Sequence, residues 1–356
     1  MKNLSSTPYL LALALMTLMS AGCDEAAPGE AQDFGAGEVA ERCGSGCGGI
    51  KFNTFAWGYE DGGALDTKGE LFSNAQLVSV ELRCPTNEKD MWRFPKECFK
   101  AQWFTLDQGG VRAKAGELLG TRGSYEFAGK DFLGSRWTVD VYNAEGKFLT
   151  THHQEIKAYK FDPLQKPHAL HYYTFMFFGN GANGGEKGVW EPACTENTDP
   201  TDNTPVGAWA LVYDDIEVDT KSGKIFPREH SLYLGCISAA VGKAGNWGYP
   251  SWEIGTDYFT TAVRTVRADY CADGDSWTKK GNALQVKDVW GYSDFVDPGA
   301  KTEAIWNEKG AACLGTPRWL AQFSYSDVTC NGEKLPECKN ATLTDITDAI
   351  IWTKLP

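Results

Sequence analysis

The stretch TDYFTTAVRTVRADYCADGDSW, residues 256–277, predicts an amphipathic helix that runs into a tight acidic turn. Thr256 or Asp257 can cap the start of this helix, and Gly274 lies just past its end. The apolar residues of its predicted buried face follow a helical spacing: Phe259, Ala262, Val263, Val266 and Tyr270. Because a helix of this length is stabilised mainly by packing, the elements around it decide the fold class.

The rest of the chain predicts strands more than helices. In QLVSVELR, residues 76–83, Val78, Val80 and Leu82 fall on one face of a strand, and RWTVDVYN alternates in the same way. A second, shorter helix is predicted at residues 237–245. We therefore predict an α+β, β-dominated fold that is braced by disulfides. Its N-terminal half is antiparallel and β-rich, and its C-terminal half contains strands with one or two helices.

The first residues resemble a bacterial export signal that ends in a lipid-attachment cysteine. Lys2 gives a positive charge, and the apolar run at residues 9–19 is too short to span about 30 Å of hydrocarbon. Three small residues then precede Cys23, as in a lipobox, where the cysteine takes a diacylglycerol and becomes the mature N-terminus. The alternative is an ordinary secretory signal with a chance cysteine. We expect lipidation at Cys23 and attachment to the bacterial cell envelope, on the periplasmic or surface side of the outer membrane.

The charge distribution limits the classes of partner. Residues 24–42 carry six carboxylates against one arginine and are otherwise rich in Ala and Gly, which predicts a disordered tether. The whole chain has a net charge of −13 and no concentrated basic patch, which argues against nucleic acid or anionic lipid. The expected partners are the membrane, through the lipid anchor, and a glycan or an envelope protein.

The cysteines indicate disulfide bonds. Eleven are present, and removing Cys23 leaves an even number, which is typical of cross-linked exported chains. The candidates are Cys43, Cys47, Cys84, Cys98, Cys194, Cys236, Cys271, Cys313, Cys330 and Cys338. The sequence leaves their connectivity open; pairing of nearest neighbours would give Cys43–Cys47, Cys84–Cys98, Cys194–Cys236, Cys271–Cys313 and Cys330–Cys338. Structural zinc has little support because CGSGCGG and CNGEKLPEC lack CxxC spacing and have no histidine nearby.

Several blocks of sequence resemble the ADYC-domain family, whose members are exported or lipid-anchored proteins, chiefly of myxobacteria. The blocks are VRADYCADGDSWTKKG (266–281), LGCISAAVGKAGNWGYPSW (234–252), AIWNEKGAACLGTPRW (304–319) and the N-terminal CGSGCGG. The resemblance implies a cellular location and a fold, but it implies no catalysed reaction. In that family, cysteines often stand where this chain has Ala244 and Ala262, which implies that these two positions lie close in space.

The predicted organisation has six parts. They are a signal peptide (1–22), the lipidated cysteine with its acidic disordered tether (23–42), a β-rich N-terminal region (43–178), a connecting loop rich in Gly, Asn and Asp (179–204), an ADYC-like domain (205–326) and a C-terminal tail with the last two cysteines (327–356).

The acidic turn supports two interpretations. Asp269 falls in the last turn of the predicted helix, where the macrodipole disfavours a negative charge by about 0.3–1 kcal/mol. Compensation can come from backbone N–H groups of residues 272–274, from Arg228 or Arg318, or from a metal shared with nearby carboxylates; Arg267 points to a different side. Either the turn is a structural joint, or its carboxylates serve hydrolysis or bind Ca²⁺. The candidate residues of this turn are Arg267, Asp269, Tyr270, Asp273 and Asp275.

A second candidate site is the aromatic block NWGYPSW. Trp247, Tyr249 and Trp252 either form an exposed platform that stacks on sugar rings or fill a β-rich core.

The chain contains no HExxH, GxSxG or P-loop motif, so zinc hydrolysis, serine hydrolysis and nucleotide use lose their usual sequence support. We therefore predict a non-catalytic envelope lipoprotein, a binding or structural module for a glycan or an envelope protein. It needs no cofactor, and the alternative is a hydrolase or Ca²⁺-binding protein that uses the acidic turn.

Overall fold

The structure is a computed structural model, and it describes residues 64–356 with short gaps. The gaps are residues 73, 144, 166, 179–187, 195–196, 199–204, 220–221, 238, 279–281, 298 and 320–322. The predicted signal peptide, Cys23, the tether and the Cys43–Cys47 pair lie outside the described residues.

Strands dominate the described part of the chain. In its first part they are β1 (Leu65–Asp66), β2 (Ala75–Arg83), β3 (Trp103–Thr105), β4 (Arg112–Lys114), β5 (Glu117–Arg122), β6 (Tyr125–Ala128), β7 (Arg136–Tyr142), β8 (Phe148–Asp162), β9 (Leu170–Phe178), β10 (Trp190–Pro192), β11 (Asn197–Thr198) and β12 (Pro205–Gly207). There follow β13 (Ala210–Val218), β14 (Ile225–Cys236), α1 (Ala240–Asn246), α2 (Ser251–Ile254), α3 (Thr256–Arg267), β15 (Gln285–Asp288), β16 (Lys301–Asn307), β17 (Gly310–Leu314), β18 (Thr329–Cys330), β19 (Glu333–Lys334) and β20 (Ile351–Leu355). Short 3₁₀ helices cover Glu88–Arg93, Lys96–Phe99, Gly129–Phe132, Tyr325–Asp327 and Leu343–Asp345.

Two antiparallel sheets pack against the helix α3. The larger sheet has the order β1-β14-β13-β9-β8-β7-β2-β3, and β10 pairs with β9. It therefore contains strands from both sides of residues 179–204. The smaller sheet has the order β15-β20-β16-β17, and α3 contacts both β14 of the larger sheet and β16 of the smaller one. This arrangement confirms the β-dominated α+β class, with the long helix packed between the sheets.

The helix in the opening stretch forms where the spacing predicts it, and all five apolar residues of its predicted face are buried. Its ends differ from the prediction. Gly255 (φ 79°) is the N-cap, because α2 ends at Ile254 and leaves a single residue between the helices. The C-cap is Ala268 in the left-handed region (φ 52°), six residues before Gly274. The helix therefore ends early enough for the chain to turn before Asp269.

A β-bulge corrects the predicted face of β2. The pairing of β2 with β7 shifts register between Leu77 and Ser79, so that Leu77, Val80 and Leu82 are buried. Val78 is instead 51% exposed. The bulge adds one residue, which reverses the side on which Val78 projects. The strand β7 follows its predicted alternation, with Trp137, Val139 and Val141 fully buried.

Four disulfides brace the described residues, and two of them correct the nearest-neighbour pairing. Cys84–Cys98 and Cys194–Cys236 form as nearest neighbours. The other two are Cys271–Cys330 and Cys313–Cys338, in place of Cys271–Cys313 and Cys330–Cys338. The cause is the path of the tail: Leu314 bonds to Pro336 and Cys338 through its backbone, which brings Cys338 beside Cys313. Cys330 is then left for Cys271.

The helices α1 and α3 pack against each other, and Ala244 and Ala262 are buried in one core cluster. These are the two helices that carry the positions for which the family resemblance implied proximity, and the contact between the two alanines stays a prediction. Within the described ranges, no helix is both long and apolar enough to cross a bilayer.

Candidate functional site

Asp269, the acid of the ADYC tetrapeptide, is enclosed by its own backbone. Its side chain is fully buried, its Oδ1 accepts the Asp273 N–H at 3.2 Å and its Oδ2 accepts the Gly274 N–H at 3.0 Å. The left-handed Ala268 turns the chain so that the carboxyl faces this turn. The sequence suggested several groups that could compensate the charge of Asp269, and the backbone N–H donors are the ones that the structure places beside it. Burial and the nearby Asp273 raise the pKa of Asp269 to about 7, against the opposing influence of Arg264 and other donors.

Tyr270, the next residue, joins a buried ion pair. Its hydroxyl donates to Glu303 Oε1 at 2.8 Å and accepts the backbone N–H of Arg318 at 2.8 Å. Arg318 binds Glu303 through two hydrogen bonds, Nε to Oε1 at 2.8 Å and Nη2 to Oε2 at 2.9 Å, and its Nη1 donates to the Val266 carbonyl. Both charged side chains are fully buried. Burial raises the pKa of Tyr270 well above its ordinary value, so the hydroxyl stays protonated.

Sequence reasoning missed Glu303 and considered Arg318 only as one of several possible partners of Asp269. The pair joins β16 to a loop after β17, and no local spacing reveals such a contact. The available signal was a single carboxylate in the otherwise apolar centre of KTEAIWN. A buried carboxylate needs a partner because an unpaired charge is costly to desolvate.

The remaining candidates of the turn do not converge on a common point. Arg267 donates through Nη2 to the Gly274 carbonyl at 3.0 Å, and Cys271 is bridged to Cys330. Asp273 and Asp275 are exposed, and Asp273 Oδ1 accepts the Asp275 N–H. Across the described ranges, no three His, Cys, Asp or Glu side chains are placed to hold a metal ion. The geometry favours the structural-joint interpretation of this turn.

The block NWGYPSW fills the core rather than forming an exposed platform. Trp247 and Tyr249 are buried, and Trp252 is partly buried against Tyr213, at 5.4 Å between ring centroids. Tyr249 has a further role, since its hydroxyl donates to Asp288 Oδ2 at 2.8 Å. The platform interpretation is therefore wrong for Trp247 and Tyr249.

Asp288, at the end of β15, holds the loop that follows it. Its Oδ1 accepts the backbone N–H of Trp290 at 2.8 Å and of Tyr292 at 3.1 Å, and its Oδ2 accepts the Ser293 N–H at 2.7 Å. Together with the Tyr249 hydroxyl, these bonds satisfy both carboxylate oxygens. The loop is thereby fixed in one conformation, with two large aromatic side chains on it.

These rings belong to a line of four side chains that we call the aromatic row: His168, Tyr292, Trp290 and Tyr258. Ring centroids are 4.9 Å apart for His168 and Tyr292, 5.9 Å for the stacked Tyr292 and Trp290, and 5.5 Å for Trp290 and Tyr258. Tyr258 is 40% exposed, and the other three members are partly exposed. Glu253 Oε1 lies 3.6 Å from His168 Nδ1 at one end. The row therefore combines accessible aromatic surface with a carboxylate and an imidazole.

Sequence reasoning missed this row, although a signal existed. The tripeptide Trp-Gly-Tyr occurs at residues 247–249 and again at residues 290–292. The first copy is buried and supports the second, which is partly exposed. The contribution of His168 comes from a distant loop before β9, so only the folded chain shows it.

Comparison with known proteins identifies the family. The family model of the ADYC domain matches residues 129–320, which is more than half of the chain. No curated protein and no solved structure matches. The matched range contains the acidic turn, Glu303, Arg318 and all four members of the aromatic row.

Proposed function

Because the chain belongs to the ADYC domain family, a membership that assigns no reaction, we propose its function from its geometry. The protein is a non-catalytic binding module of the bacterial cell envelope, and the aromatic row binds a glycan. The observation that carries the proposal is the row itself: four partly exposed rings, of which Trp290 and Tyr292 lie on the loop that Asp288 holds in place.

The physical argument rests on the two kinds of surface in the row. Tyrosine and tryptophan offer a large apolar face together with a polar edge, which suits ligands that have both apolar C–H faces and hydroxyl groups. Sugars have this mixed character. The Glu253 carboxylate, which lies 3.6 Å from His168 Nδ1 at one end of the row, can accept hydrogen bonds from the hydroxyl groups of a sugar. A fixed loop also lowers the entropy cost of binding, because the rings are ordered beforehand.

The alternative of a hydrolase or Ca²⁺ site in the acidic turn has less geometric support. Both oxygens of Asp269 are already occupied by backbone donors, and its side chain has no contact with solvent. A general acid or base must come within hydrogen-bond reach of its substrate. The buried position of Asp269 gives a substrate no direct approach.

The envelope location is a proposal from the N-terminal sequence. A diacylglycerol on Cys23, followed by the acidic tether of residues 24–42, would hold the binding module near the membrane surface. Intact-mass spectrometry of the native protein tests this. We expect a mature N-terminus at Cys23 carrying acyl chains; a chain that retains residues 1–22 without lipid contradicts the proposal.

A glycan array probed with the full chain tests the function. We expect binding to a defined glycan class, and a loss of about 30-fold for Trp290→Ala and Tyr292→Ala, because anchoring aromatics contribute about 2 kcal/mol or more. Trp92→Ala is the matched control, since Trp92 is 77% exposed but lies outside the row. Equal losses for Trp92→Ala and Trp290→Ala, or no effect of either row variant, contradict the assignment of the site.

The same variants distinguish the second expected partner, an envelope protein, from a glycan. A blank array together with capture of one envelope protein that Trp290→Ala abolishes would keep the site and change the ligand class. Capture that Trp290→Ala leaves intact would place the interaction elsewhere on the molecule.

A further inference from the structure

Arg264 is a buried cation with an unsatisfied hydrogen-bond donor and no carboxylate partner among the described residues. It lies in the third turn of α3 and is only 6% exposed. Its Nη1 donates to the Glu308 carbonyl at 2.5 Å, whereas its Nε has no hydrogen-bond partner. Over the described ranges, no carboxylate lies within ion-pair distance of its guanidinium. Arg318 shows the contrast, because two hydrogen bonds join it to Glu303.

The nearest compensating charge for Arg264 is weak. Asp269 acts on it from beyond hydrogen-bond distance, and both oxygens of Asp269 already accept backbone N–H groups. Burial also raises the pKa of Asp269 to about 7, so this carboxyl is only partly ionised at neutral pH. A buried charge without a full partner is costly in free energy, and an added anion would reduce that cost.

Arg264 lines a cleft of about 340 Å³ that other cations share. Lys224, just before β14, and Lys309, in the turn between β16 and β17, line the same cleft and are exposed. Thr260 connects two walls, since its hydroxyl accepts the Ile225 N–H at 3.0 Å and donates to the Thr256 carbonyl at 2.9 Å. We call this the basic cleft. Three separate segments of the chain bring its three cations together, although the chain as a whole carries a charge of −13.

We propose that the basic cleft binds the anionic group of a small ligand, a carboxylate, sulfate or phosphate, with Arg264 as the central donor. The planar guanidinium presents several donors that match such oxygen anions. The volume suits one small group rather than a polymer segment. Asp257 and Glu308 also line the cleft, so that three cations face two carboxylates, and this small excess of positive charge suits one small anion better than an extended polyanion. The inference does not depend on glycan binding by the aromatic row.

Thermal unfolding of the full chain tests the proposal, with sodium phosphate, sodium sulfate and sodium glucuronate added at constant ionic strength set by NaCl. A ligand that binds only the folded state raises Tm in a saturable way, by about 2–5 °C at a tenfold excess over Kd. Stabilisation by all three anions assigns a general oxyanion site, and stabilisation by glucuronate alone assigns a carboxylate-bearing ligand. No saturable rise with any of the three overturns the proposal.

Variants separate the cleft from general salt effects. Arg264→Met removes the central donor and should weaken binding about ten- to hundredfold. Because Arg264 is buried, Lys224→Gln and Lys309→Gln provide a second test at exposed positions, each weakening binding about two- to fivefold. Lys147→Gln, at an exposed position in the turn between β7 and β8, is the matched control. A Tm rise that all of these variants retain also overturns the proposal.

Discussion

Breaking the buried pair between Glu303 and Arg318 should destabilise the protein more than any surface substitution. Arg318→Met leaves the Glu303 carboxylate fully buried, with the Tyr270 hydroxyl as its remaining donor among the described residues, and it removes the bond to the Val266 carbonyl. Removing one partner of a buried ion pair costs about 3–5 kcal/mol, because the other charge stays desolvated. That is a large share of the roughly 5–15 kcal/mol that stabilises a typical domain.

Urea unfolding followed by tryptophan fluorescence, with the disulfides intact, measures this cost. The double variant Glu303→Leu/Arg318→Met should lose less than Arg318→Met alone, since neither charge remains in the core. Lys287→Met is the control, because its 2.9 Å pair with Asp294 is largely exposed and is worth about 0–1 kcal/mol. If Arg318→Met costs no more than Lys287→Met, or the double variant costs the most, the energetic argument for this joint is wrong.

Three further outcomes are expected. The raised pKa of Asp269, about 7 against an ordinary value of about 3.9, means that its contribution to stability is complete below pH 4 and is lost as the pH rises to 7. The loss is on the order of 4 kcal/mol of the free energy of unfolding. Urea titrations across this pH range should show the decline in the unsubstituted protein and a smaller decline in Asp269→Asn. Peptide mapping without reduction should recover Cys271 joined to Cys330, whereas Cys271 on any other cysteine contradicts the fold of the tail. Tyr249→Phe removes a hydrogen bond to the Asp288 carboxylate, worth about 1.5–3 kcal/mol, and should lower glycan affinity by loosening the aromatic row; unchanged affinity would show that this support is dispensable.

The sequence predicts those elements of the fold that depend on local periodicity. The apolar spacing of α3 and the alternation of β7 both correctly predict which residues are buried, because one face of each element is buried. Features that depend on a neighbour escape this reasoning. The bulge at Val78 comes from the register with β7, and the Gly255 cap comes from the closeness of α2. Neither leaves a periodic signal in its own segment.

The candidate site likewise contains local contacts, which the sequence predicts, and long-range contacts, which it does not. Asp269 and its backbone donors lie within five residues of each other, so the sequence already offered this solution. The contact between Tyr270 and Glu303 spans 33 residues, and that between Arg318 and Val266 spans 52. Contacts of this range are set by the packing of the sheets around α3. For the same reason the aromatic row could not be assembled from its separate tripeptide and histidine.

The four residues of the ADYC tetrapeptide each hold a different part of this packing. Ala268 ends α3 in the left-handed region, Asp269 closes the following turn, Tyr270 binds Glu303 and Cys271 is bridged to the tail. The Tyr270 carbonyl also accepts the Ala311 N–H at 2.9 Å, directly after the β16–β17 turn.

That turn carries Glu308 and Lys309, so the tetrapeptide holds one wall of the basic cleft against α3. A Cβ atom at Gly310 would lie 2.6 Å from the Tyr270 carbonyl oxygen, which shows how closely the two segments approach. Substitutions in the tetrapeptide should therefore lower the stability of the whole domain rather than remove a single activity. Ligand specificity is then expected to reside in the residues that the tetrapeptide positions, since these can change without disturbing the joint.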